Sequence, residues 1–95
     1  MIEKKLYKVI QAMELGLLVK SNGTTFGLME NHNIGMQMSK VVGDGKPETV
    51  WHDPEMTLAH FWHFAVKPMS IEDYCVLMAN LALQEMAGHK GKYKP

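Results

Sequence analysis

The sequence predicts an α+β domain: an N-terminal helix, a small antiparallel sheet of three or four strands, and a C-terminal amphipathic helix. Three observations carry that expectation. Apolar residues recur with helical period at both ends of the chain, and the middle alternates with period two around short turn signals. The length, 95 residues, suits one domain, since neither half alone could bury its apolar face.

Residues 3 to 15 place Leu6, Val9, Ile10 and Met13 at i, i+3, i+4 and i+7, with Lys4, Lys5, Lys8 and Gln11 outward. Gly16 follows at the place for a left-handed cap. "LLVKS" then reads as a short strand closed by Asn22-Gly23, and "TTFGLMEN" as its partner, with Gly27 marking a bulge or a close approach. Asn31, His32 and Asn33 make a tight connection to "IGMQMSKVV", whose Ile34, Met36 and Met38 alternate against Gly35, Gln37 and Ser39. "GDGKPE", residues 43 to 48, reads as a loop linking the two halves of the domain.

The last helix starts at Ser70, an N-cap with Asp73 three residues on. Ile71, Tyr74, Cys75, Met78, Leu81, Ala82 and Met86 line one face, so Cys75 is expected to be a buried, inert thiol. Leu77, Ala79 and Leu83 widen the apolar surface, which suggests a homo-oligomer contact. Gly88 stops the helix, and residues 88–95 are expected to form a flexible basic tail.

Residues 51 to 64, "WHDPEMTLAHFWHF", are the stretch most suggestive of chemistry: they hold three histidines, two acids and four aromatics. Two structures compete for them. In a helix, Asp53 caps, Leu58, Phe61, Trp62 and Ala65 face the core, and Thr57, His60, His63 and Lys67 lie on the far side. His60 and His63 could then share a metal, with His52 as a further candidate. In the other, a single turn leads into a strand "FWHFAV" closed by Pro68, which sends His60 and His63 to opposite faces. The aromatic and β-branched content favours the strand, with Trp62 helping to close the sheet. On that reading the segment is core, and no metal is assigned.

Composition narrows the function classes. All ten basic residues are lysines and balance ten acids, so the arginine fork used for phosphate and base edges is missing and nucleic acid is a poor candidate partner. One cysteine excludes an intrachain disulfide and suits a reducing compartment. The chain has neither a membrane-length apolar run nor an N-terminal apolar signal segment, so the expectation is a soluble, cytoplasmic protein. Ser21, Ser39 and Ser70 lie outside any nucleophile motif, "GDGK" lacks the strand-to-helix step of a phosphate loop, and no acid pair is set for general acid–base work. No catalytic residue and no cofactor is expected.

"VIQAMELGLLVKSNG" and "TLAHFWHFAV" resemble the opening and closing motifs of a family of small phage and prophage proteins, over residues 6 to 66. That family includes Thoeris anti-defence proteins, which sequester cyclic nucleotide signals, and an anti-CRISPR candidate. The resemblance implies a non-enzymatic protein in the host cytoplasm that sequesters a small polar or nucleotide signal or blocks a host defence protein. In the turn corresponding to the family's ligand segment stand Lys20, Asn22, Thr24 and Thr25. The family's basic, tryptophan-containing segment is replaced by "KSNGTTFGL", and its Asp-Trp pair by Phe61-Trp62. Two further readings of the residues are a metal-binding protein or metal-assisted enzyme using His52, His60 and His63, and a structural homo-oligomer.

Overall fold

A computed structural model describes residues 4–92 of the chain. The order is helix α1 (Lys4–Glu14), strands β1 (Val19–Ser21), β2 (Thr24–Leu28), β3 (Ile34–Val42) and β4 (Lys46–His52), helix α2 (Leu58–Phe61) running into a π-helical segment (Trp62–Val66), and helix α3 (Ile71–Met86). The strands form one antiparallel sheet in sequential order. The expected α+β class holds, with four strands.

The α1 stripe of Leu6, Val9, Ile10 and Met13 is buried. Its end is sealed by Gly16 at φ +84°, which lets the amides of Gly16 and Leu17 reach back to the carbonyls of Met13 and Ala12. Gln11, expected to face outward, is buried; the backbone at Gly91 lies against it so closely that a Cβ there would be 2.7 Å from the Gln11 Cα. Residues 93–95 of the expected tail lie outside the described residues.

Asn22 and Gly23 turn β1 into β2 with positive φ at both positions, the twist a two-residue hairpin requires. Gly27 is no bulge: it pairs in register with Gly35. The chain from 43 to 48 is also not a linker between halves. Gly43-Asp44-Gly45 make a hairpin turn, and Lys46, Pro47 and Glu48 already belong to β4, paired with Val42, Val41 and Lys40. Pro47 is tolerated because β4 is an edge strand, where a missing amide costs no ladder bond.

Alternation puts Val19, Phe26 and Ile34 on one face of the sheet, and all helices stack there, against β1 and β2. The core closes with Phe61, Ala65, Val66 and Met69 from the helical segment and its exit, and Leu77 and Leu81 from α3. The Phe26 and Phe61 rings meet edge to face at 5.4 Å. At the same junction the Ser21 hydroxyl donates to the Ala65 carbonyl at 2.6 Å. Ser21→Ala leaves that carbonyl short of a partner in a buried place, and chemical unfolding should show a loss of about 1–3 kcal/mol.

Residues 61 to 66 are helical, not the strand that their composition favoured, and Trp62 does not close the sheet. Phe61, Ala65 and Val66 are buried and Trp62 half-buried, a repeat of about four that a strand cannot produce. The helix is capped by Thr57, whose hydroxyl accepts from the His60 amide, rather than by Asp53. The Lys67 amide donates to Trp62 across five residues, the mark of a π turn.

Helix α3 begins at Ser70, as expected, with the hydroxyl accepting from the Asp73 amide. Its rotation differs from the expected one. Leu77 and Leu81 enter the core and Tyr74 and Met78 flank it, while Ile71, Cys75, Ala82 and Met86 face away. Cys75 is therefore exposed, not buried. From α1, Lys5 meets the inward side, with its ammonium 5.4 Å from the Tyr74 ring centre and donating to the Met69 carbonyl.

Candidate functional site

Two places on the molecule gather side chains that chemistry can use, on opposite faces of the sheet. The first is the face that no helix covers. β1 pairs Lys20 with Thr25, and β3 pairs Gln37 with Trp51. The Phe26–Met36 pairing puts Thr25 beside Gln37, so Lys20, Thr25, Gln37 and Trp51 form one row across four strands.

The Trp51 indole is 41% exposed and is held by a deliberate gap in the sheet. Its six-membered ring crosses β3 over Gly35 and reaches Gly27 on β2. A Cβ on Gly27 would stand 3.0 Å from the Trp51 Cη2, and one on Gly35 3.2 Å from Cε3. The glycine pair therefore makes room for the ring, with Leu18 and Met29 at its sides. A hollow beside it is lined by Met29, Glu30, Asn31 and Trp51, and a polar one on the other side by Thr25, Gln37, Ser39 and Thr49.

Of the four turn residues singled out from the sequence, this row takes in Lys20 and Thr25. Thr24 pairs with Ser21 and points to the opposite face, and Asn22 sits at the hairpin tip. Alternation along a strand forbids the four from converging. Nothing in the sequence alone joins Gln37 and Trp51 to this row, because β4 is mostly exposed and starts with the loop-like Lys46-Pro47-Glu48, and without it nothing places Trp51 opposite Gln37.

The second place is a groove of about 470 Å3 on the helix side, between β3, the Pro54–Met56 segment and the π-helical turn. Met36, Met56, His60, His63, Pro54 and Phe64 line it. Helical geometry thus brings His60 and His63 to one groove, where the expected strand would have parted them. His52 is the cross-strand partner of Met36 but does not line the groove. Among the described residues, no three of His, Cys, Asp and Glu stand close enough to hold one ion.

Asp53 has a different task from capping. Its carboxylate accepts from the Asn31 side chain at 2.7 Å, the Asn33 side chain at 3.1 Å and the Glu55 amide at 3.0 Å, tying the β2–β3 connection to the end of β4. Those bonds, Asn31 first, hold its carboxyl below the ordinary aspartate value, with a small contribution from His52. A group with a lowered folded value stabilises above its unfolded value and stops as pH falls through the folded one. Thermal unfolding should therefore show an extra loss of stability below about pH 4 that Asp53→Asn lacks.

No family model, no curated protein and no solved structure matches the chain. No helix among the described residues is long and apolar enough to cross a membrane.

Proposed function

We propose that the protein is a non-enzymatic binding protein that holds a small, polar, ring-bearing molecule on its uncovered sheet face. The observation that carries this reading is the Trp51 indole in line with Gln37, Thr25 and Lys20. An exposed aromatic ring offers a stacking surface worth about 1–3 kcal/mol to a planar base. The amide, hydroxyl and ammonium beside it suit the polar edge and the anionic part of such a ligand. The finer reading, a phage-type protein that counteracts host defence by sequestering a nucleotide signal, draws on the resemblance of residues 6 to 66.

Equilibrium dialysis against cyclic mono- and dinucleotides, followed by heat release and mass spectrometry, tests the proposal. A sequestering protein retains a member of the panel and returns it chemically intact. Recovery of a converted product would make the protein an enzyme, and retention of none would remove the nucleotide reading.

The reading includes self-association through α3. Ile71, Val76, Leu83 and Met86 are 63–83% exposed along this helix, and exposed apolar side chains gathered on one helix suit a protein contact. Light scattering across a concentration series should report a dimer for the native chain and a monomer for Leu83→Glu. A native chain that is monomeric at every concentration would remove this part.

A further inference from the structure

The groove on the helix side has a donor set that the ring-binding reading does not use. Two thioethers, Met36 from β3 and Met56 from the segment after β4, share it with two imidazoles, His60 and His63. Among the described residues, the rest of the lining is Pro54 and Phe64, with no carboxylate and no lysine. Phe64 is more than half exposed, and its ring lies 6.2 Å from that of Phe26, edge to face.

This combination of donors is selective. Calcium, magnesium and manganese sites are built around carboxylates, and no Asp or Glu is among the described residues that line the groove. Zinc sites are built from thiolate, imidazole and carboxylate, usually four in number, and only two such groups are here. Thioether and imidazole together are neutral, soft to borderline donors, the set suited to a soft cation of single charge.

The positions also follow from the fold. His60 and His63 lie three residues apart on the run from α2 into the π segment, so they project to the same side. Met36 and Met56 approach from the strand and the incoming chain, so donors arrive from three separate stretches of backbone.

We propose that Met36, Met56, His60 and His63 form a binding site for a soft monovalent metal ion, copper(I) being the natural occupant. No electron transfer is required: the ion arrives in its reduced state, held by added reductant in the test, and is bound without change.

The exposed Cys75 thiol is the obvious competitor, so the test is made in a Cys75→Ser chain. Under anaerobic, reducing conditions the protein is titrated with copper(I) against a chromophoric copper(I) chelator, and in parallel with zinc(II). The expected result is one copper(I) withdrawn per chain, with zinc(II) bound far more weakly. Met36→Leu with Met56→Leu, which keeps volume and the fold, should weaken copper(I) binding by roughly tenfold or more, as should His60→Ala. Circular dichroism confirms that each variant is folded. Failure of the Cys75→Ser chain to withdraw copper(I) would overturn the proposal. So would unchanged affinity in the folded double-methionine variant, or a preference for zinc(II).

Discussion

Phe61→Ala is expected to lower the unfolding free energy by about 3–5 kcal/mol, a large part of the roughly 5–15 kcal/mol typical of a whole domain. Phe61 has no exposed surface, and its ring meets Phe26 edge to face where the helical segment crosses the sheet. Its loss removes the transfer energy of a large side chain, leaves a cavity that the surrounding core only partly refills, and forfeits a ring–ring contact. The neighbour two residues on makes the contrast. His63 is exposed, so His63→Ala should change stability by no more than about 0.5 kcal/mol. Were residues 61 to 66 a strand, Phe61 and His63 would share a face and their environments would be alike. Urea unfolding of both variants therefore checks the helical period as well as the packing.

Trp51→Ala is expected to weaken binding of a planar ligand by roughly ten- to a hundredfold, the usual worth of one stacked base. The fold should survive, because the indole is 41% exposed and lies outside the core cluster. The substitution also uncovers the Gly27–Gly35 pair, so a modest fall in stability accompanies the loss of binding. Trp51→Phe should keep part of the affinity, since a smaller ring still presents a stacking face. Equal affinity in the native and alanine chains, measured by calorimetry, would mean that the ligand does not use the indole.

The parts of the fold legible in the sequence are those where one face alone is apolar. α1 has a single stripe and a glycine behind it, and β1 to β3 have alternation and turn chemistry, so period and punctuation agree. β4 was illegible because its side chains are mostly exposed, and its Lys-Pro-Glu start carries loop composition. The rotation of α3 was illegible for the opposite reason. It is apolar on two sides, and only tertiary contacts, with α1 (Lys5 on Tyr74 among them) and with β1, choose which one turns inward.

Residues 58 to 66 show a conflict between two kinds of signal. Aromatic and β-branched residues favour a strand as residue types, while the spacing of Phe61, Trp62, Ala65 and Val66 favours a helix. Spacing prevails because the sheet already has its strands, and the apolar side chains must instead cover its bare face from above. The helical period also brings His60 and His63 into one groove with two methionines, which come from distant stretches that no local pattern connects. The row on the other face was half visible: Lys20 and Thr25 stand in the turn region, but their partner Trp51 depends on a strand that only tertiary structure reveals.

The claim that the uncovered sheet face binds a ring-bearing ligand is tested most directly by amide and indole resonances of the labelled chain, titrated with cyclic nucleotides. Shifts are expected at Thr25, Gly27, Gly35 and Gln37 and at the Trp51 indole N–H, with the buried face unaffected. Shifts confined to residues away from that face, or none at millimolar ligand, would contradict it.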